Sequence, residues 1–152
     1  MRVLALFLAL VVSASAADLK IVRVFTGWRD GASFKRISEY FTGRENTGGQ
    51  VVIRTQPAER SGYYFLVRLE NSGPAQPAKF VFHVVLPASP RPRTFKFPAQ
   101  LPAGKTVFNF GLTGTDWPDP GTSAMAWKLD VLDDAGATLV TEQSYLWEKP
   151  GQ

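Results

Sequence analysis

One histidine, no cysteine and thirteen scattered carboxylates are what this 152-residue chain offers to chemistry. His83 stands between Val81 and Val85, on the strand face opposite Phe80, Phe82 and Val84. A Ser-His-Asp array would have to use it, and there is no Gly-x-Ser-x-Gly elbow to present a nucleophile. The plainer reading is a strand histidine satisfied by a neighbour. Zinc sites draw on Cys and His in numbers absent here. Without a thiol there is no disulfide, no thiolate catalysis and no thioether lipid anchor. Asp116 and Asp119 flank Trp117, and Asp130, Asp133 and Asp134 gather at one turn. A glycosidase would need two such groups facing each other at roughly 5 to 9.5 Å. Calcium would need an Asp-x-Asp-x-Asp-Gly loop, which is missing. Turn-forming, solvated aspartates are the simpler reading. The stretch from Gly43 to Gly49 lacks the Gly-Lys-Ser/Thr close of a phosphate loop and reads as an exposed turn. No catalytic residue, cofactor or metal ligand is assigned, and an enzyme built on a carboxylate pair ranks third among three readings.

Binding is better supplied. Past residue 16 the chain carries 14 Lys/Arg and 6 Asp/Glu before Gly111, but 2 and 7 from Gly111 onward, so a modest net charge hides blocks of opposite sign. From Asn71 to Thr115 there is no acidic residue, while Lys79, Arg91, Arg93, Lys96 and Lys105 all fall there. Arg91 and Arg93 alternate with Pro90 and Pro92, which hold the segment extended. Arg91, Arg93, Lys96 and Lys105 are therefore the candidate anion- or partner-binding set, with Arg54, Arg60 and Arg68 as extensions if their strands neighbour it. The alternative is that the acidic C-terminal hairpin packs beside this run and neutralises it. Trp28, Tyr40 and Trp117 form a second candidate set, since exposed rings can stack on a sugar face. Equally, they can plug the ends of a sandwich.

The first residues suggest export. Met1 and Arg2 precede an apolar run over 3–12 and then Ser13-Ala14-Ser15-Ala16, the pattern of a cleaved leader, with cleavage after Ala16 or, as the close alternative, Ala17. An apolar run of that length covers only about half of a bilayer core as helix. Residues 17–152 are thus expected to be an exported domain, periplasmic or extracellular.

The elements that must position these side chains read as strands. Eight runs rich in β-branched and aromatic residues cover 20–28, 50–55, 63–70, 79–86, 94–97, 106–112, 125–132 and 138–147, with Gly, Pro, Asn and Asp clusters between them. Alternation is clear at Phe80, Phe82, Val84 and Leu86, and at Met125, Trp127, Leu129 and Val131. The prolines around 87–98 place that segment in a connection or an edge, with 94–97 an edge strand. Asp133-Asp134-Ala135-Gly136 is the best hairpin signal. Over 33–42, Ser33 as cap, apolar Phe34, Ile37 and Phe41, and Gly43 as stop spell a short helix; a strand ending at Phe41 is the alternative. Such a helix would cover the outward aromatics of Tyr63-Tyr64 or Tyr145-Leu146-Trp147.

The stretch Ala126-Trp127-Lys128-Leu129-Asp130-Val131-Leu132-Asp133-Asp134-Ala135-Gly136-Ala137-Thr138-Leu139-Val140 resembles the closing hairpin of immunoglobulin-like and fibronectin type III-like domains of exported bacterial proteins. The runs 63–70 and 80–86 are similar to their central strands. The resemblance spans roughly 60–147 and implies a single immunoglobulin-like β-sandwich of seven or eight strands, all-β, without the Cys pair of true immunoglobulin domains. Fold does not carry function with it. The expected role is a non-catalytic, monomeric interaction module meeting an anionic polymer or surface, or another envelope protein, through its basic loop and edge strand. A carbohydrate-binding module using Trp28, Tyr40 and Trp117 is the alternative. Nucleic acid is not expected as a partner, since no recognised module is present.

Overall fold

The structure, a computed structural model, describes residues 18–148. The leader expected over residues 1–16 lies outside them. Among the described residues eight strands form two four-stranded sheets packed face to face, an all-β sandwich. The strands are β1 (Leu19–Arg29), β2 (Val51–Arg54), β3 (Gly62–Asn71), β4 (Gln76–Leu86), β5 (Ser89–Leu101), β6 (Gly104–Thr113), β7 (Ala126–Leu132) and β8 (Thr138–Gln143). The first sheet has the order β1-β3-β6-β2 and the second β5-β4-β7-β8. Every pairing is antiparallel except β2 on β6.

The orders β1-β3-β6 and β4-β7-β8 follow the A-B-E and C-F-G orders of an immunoglobulin-type sandwich. The strand that follows β4 pairs back onto β4, as the added C′ strand of variable-type domains does. One feature departs from the pattern: the edge where an antiparallel strand D would lie is taken by the short parallel β2. That strand belongs to an insertion of about thirty residues between β1 and β3, which also holds the one α-helix among the described residues, α1 (Ile37–Thr42).

Alternation places one face of each strand inside. Tyr63, Phe65, Val67 and Leu69 of β3 and Phe108, Phe110 and Leu112 of β6 meet Phe80, Phe82 and Val84 of β4 and Leu129 and Val131 of β7. Phenylalanine rings fill the gap between sheets: Phe65 meets Phe82 at 4.7 Å, Phe80 meets Phe110 at 4.7 Å, and Phe97 meets Phe110 at 5.2 Å. These tilted contacts suit the ring quadrupole and supply the apolar burial that replaces a disulfide.

Three boundaries differ from the sequence reading. The edge strand expected over 94–97 runs from Ser89 to Leu101, straight through Pro90, Pro92 and Pro98. It pairs only with β4, and a position whose N–H would face solvent loses no ladder bond to proline. The last run stops at Gln143, and Tyr145–Glu148 closes as a 3-10 turn. The helix covers only 37–42; Ser33 lies in a preceding 3-10 turn, Gly31–Phe34, whose cap is Asp30. Gly43 does end the helix, with φ of 65° in the left-handed region.

Candidate functional site

The four basic candidates do not stand together. Arg91 is exposed near the β4–β5 turn, Lys96 is exposed on the opposite face of the same strand, and Lys105 begins β6 beyond the far end of β5. Ten residues of extended chain separate Arg91 from Leu101, roughly 33 Å. Arg93 is engaged internally: it stacks on Phe95 at 4.9 Å and donates to the Asp116 carbonyl at 2.8 Å and to Asp116 Oδ1 at 3.0 Å. The acidic hairpin does pack beside part of the basic run: β7 pairs with β4 from Lys79, opposite Leu132, to Val85, opposite Ala126, and Asp133 and Asp134 border a cleft with Lys79.

Two of the three aromatic candidates pack against the core. Trp117 is 3% exposed, stacks on Tyr63 at 4.3 Å and donates its indole N–H to the Thr122 carbonyl at 3.0 Å, so it plugs one end of the sandwich. Trp28 is half-buried against the core. Tyr40 alone is open to solvent.

His83 is half-exposed on the outer face of the second sheet. Its Nδ1 is 3.0 Å from Thr94 Oγ1 and its Nε2 is 3.5 Å from Asp130 Oδ2. Asp130 also takes Lys128 Nζ at 3.1 Å and the Thr141 hydroxyl at 2.7 Å, so its charge is shared among three donors on an open sheet. Asp119 accepts the Gly121 N–H and the Thr122 hydroxyl, which hold its carboxyl below the usual range. Asp133 accepts the Ala137 N–H inside the hairpin. Among the described residues no group of three or more His, Asp or Glu side chains is placed to hold a metal ion.

The constellation that stands out lies on the outer side of the first sheet. A bulge between Ile21 and Arg23 adds one residue to β1 and shifts its phase. Leu19 and Ile21 point inward; past the bulge Arg23 and Phe25 turn outward, and Val22 is exposed with them. Arg23 is directly opposite Arg68 of β3, and Phe25 opposite Leu66. Both guanidinium groups lie over the Phe25 ring, at 5.2 and 5.5 Å from its centre. Two like charges face to face across a ladder normally repel. Here the Phe25 ring, within cation–π distance of both, offsets that repulsion, and no ion pair among the described residues includes either arginine.

At the other end of the same face the insertion is fastened down. Phe34 packs on Tyr64 with ring centres 4.7 Å apart, and Arg29 and Arg54 lie over Phe34 at 4.3 and 5.1 Å. Arg54, whose side chain is 6% exposed, makes a two-pronged bond to Glu45 at 2.9 and 2.6 Å and donates from Nε to Tyr64 Oη at 2.7 Å. Tyr64 in turn donates to the Arg60 carbonyl at 2.7 Å, the bond of a tyrosine corner, placed here on β3. Arg60 holds Glu39 at 2.8 Å. The Arg54 guanidinium lowers the Glu45 pKa, the Arg60 bond lowers that of Glu39, and burial raises that of the Tyr64 phenol.

Sequence reading missed Arg23, Phe25, Glu39 and Glu45. The only available signal was that the inward period of β1 breaks after Ile21, leaving Arg23 and Phe25 in phase with Gly27 and Arg29. No protein-family model, curated protein or solved structure matches this chain.

Proposed function

We propose that the chain is an exported, non-catalytic interaction module whose outer β1-β3 face engages an anionic surface. The observation that carries this is the Arg23-Phe25-Arg68 stack. Two guanidinium groups lie over one exposed ring, at 5.2 and 5.5 Å from its centre, and among the described residues no carboxylate is in an ion pair with either of them. Each guanidinium is a planar fork of donors suited to sulfate, phosphate or carboxylate groups. The basic loop first expected to do this is divided between two faces of β5 and the start of β6, and one of its arginines is tied to Asp116.

The test is retention on heparin and on anionic vesicles as salt rises. Wild type should be held at low salt and released as the Debye length falls to about 8 Å near physiological ionic strength. Arg23→Glu combined with Arg68→Glu should lower affinity by about tenfold or more, on the basis of roughly 1 kcal/mol per cation at an anionic surface. Equal retention of the double variant and wild type would defeat the proposal.

A further inference from the structure

Helix α1 is inside out. In an ordinary surface helix the apolar stripe faces the protein and the polar side faces water. Here Ile37, Tyr40 and Phe41, at i, i+3 and i+4, are 79, 79 and 85% exposed. The polar residues point inward and are bonded there. Glu39 binds Arg60 at 2.8 Å and accepts the Asn46 N–H at 3.2 Å, while Ser38 Oγ accepts from Asn46 Nδ2 at 2.9 Å. With the Arg54–Glu45 pair and the Phe34 anchor below, these bonds fix which way the helix faces.

The rim of the apolar tip is cationic. Lys35 precedes the helix and Arg44 follows its cap, both exposed and absent from the ion pairs among the described residues, while the Arg36 guanidinium lies back against Gly48. Glu39 and Glu45 are turned inward onto Arg60 and Arg54; the two other acids of the insertion stand away from the tip, Asp30 capping the first turn and Glu59 beside Gly114. Large exposed apolar side chains flanked by Lys35 at one end and Arg44 at the other match the boundary between acyl chains and anionic headgroups. A second copy of this chain fits poorly, because a two-fold contact through the tip would set like charges against one another.

We propose that α1 is a membrane-contacting tip: Ile37, Tyr40 and Phe41 enter the interfacial region of an anionic bilayer while Lys35 and Arg44 meet its headgroups. This deepens the anionic-surface reading and rests on it. The tip lies on the same side of the sandwich as the arginine stack, since its anchor residue Tyr64 and Arg68 are outward positions on one strand, about 13 Å apart along it.

The experiment is co-sedimentation of the full domain with phosphatidylcholine vesicles containing about 30 mol% phosphatidylglycerol and with phosphatidylcholine alone, beside heparin retention as a second readout. The variant is Ile37→Ser, Tyr40→Ser and Phe41→Ser together. All three side chains are solvent-exposed, so circular dichroism and melting temperature should stay at wild-type values. The expected result is that wild type sediments with the anionic vesicles, the triple variant loses about tenfold or more of that affinity, and heparin retention is unchanged. If the triple variant sediments like wild type, the tip proposal is overturned and the anionic-surface reading stands. Heparin retention with no vesicle binding also overturns the tip proposal and leaves a protein as the tip's partner. Absence of both overturns the two together.

Discussion

The Arg54 guanidinium grips the Glu45 carboxylate through two hydrogen bonds, of 2.9 and 2.6 Å, across the junction between the insertion and the first sheet. Arg54 is the last residue of the one parallel strand, directly opposite Gly111, and Glu45 comes from the turn after α1. This pair, with Tyr64 on Arg54 Nε, fastens the proposed binding tip to the sandwich.

Removing one partner strands the other. Arg54→Leu leaves Glu45 without its main partner and Tyr64 without a donor to its oxygen. Loss of one member of a buried pair costs about 3 to 5 kcal/mol, and the partial exposure of Glu45 brings the expected value to about 2 kcal/mol. Urea denaturation should show the midpoint fall at little-changed slope. A midpoint equal to wild type would mean the pair adds nothing to the fold.

Acid should loosen the same junction. Glu39 and Glu45 both have folded pKa values below their ordinary 4.5, chiefly through hydrogen bonds from Arg60 and Arg54 respectively. A carboxyl with a depressed folded pKa contributes stability that is complete above the unfolded value and is lost as pH falls through the folded one. Melting temperature should therefore change little between pH 7 and pH 5 on account of these two groups and decline below about pH 4.5. In Glu45→Gln that decline should be shallower. Parallel melting curves for variant and wild type would contradict the assignment.

Gly111 is required by the ring beside it. A methyl group at Gly111 would sit 2.6 Å from Tyr64 Cε1 and 2.7 Å from its Cζ, whereas one at Gly27, opposite Tyr64 on the other strand, meets nothing within 4 Å. Gly111→Ala should destabilise by about 1 to 3 kcal/mol, the usual cost of overpacking. Gly27→Ala should be close to neutral. Thermal melts of the two variants side by side give the comparison, and equal effects would rule out the close approach as the cause.

Much of the sandwich was legible because alternation reports burial directly. Phe80, Phe82 and Val84 against Val81 and His83 announced both the strand and its inner face. The same signal failed where the physics is not periodic. Pro90, Pro92 and Pro98 argue against a strand until it is known that β5 has a neighbour on one side only. The apolar spacing of Phe34, Ile37 and Phe41 announced a helix but not which way it faces. Phe34 packs on Tyr64 from before the helix begins, while Ile37 and Phe41 face water, because the bonds made by Glu39 and Ser38 decide the orientation. Arg23 and Arg68 meet only through a bulge and a cross-strand register, neither of which leaves a local mark in the sequence. Arg54 and Glu45 are brought together by the parallel pairing of β2, which no composition rule suggests.

Arg91 and Arg93 look equivalent in the sequence and should behave differently. Arg93 ties β5 to the 3-10 turn after β6, donating to the carbonyl and the carboxylate of Asp116 and covering Phe95, and so links the edge of one sheet to the end of the other. Arg91 is exposed and takes part in no ion pair among the described residues. Reversing the charge of Arg93 sets two carboxylates against each other and removes the cover from Phe95. For a half-exposed pair, Arg93→Glu should cost about 1 to 2 kcal/mol in urea, and Arg91→Glu only a few tenths. On heparin, each change should matter less than Arg23→Glu with Arg68→Glu, because neither residue belongs to the guanidinium stack on Phe25. If Arg91→Glu alone removes most of the retention while the fold is intact, the binding face is the β4–β5 end and not the outer face of the first sheet.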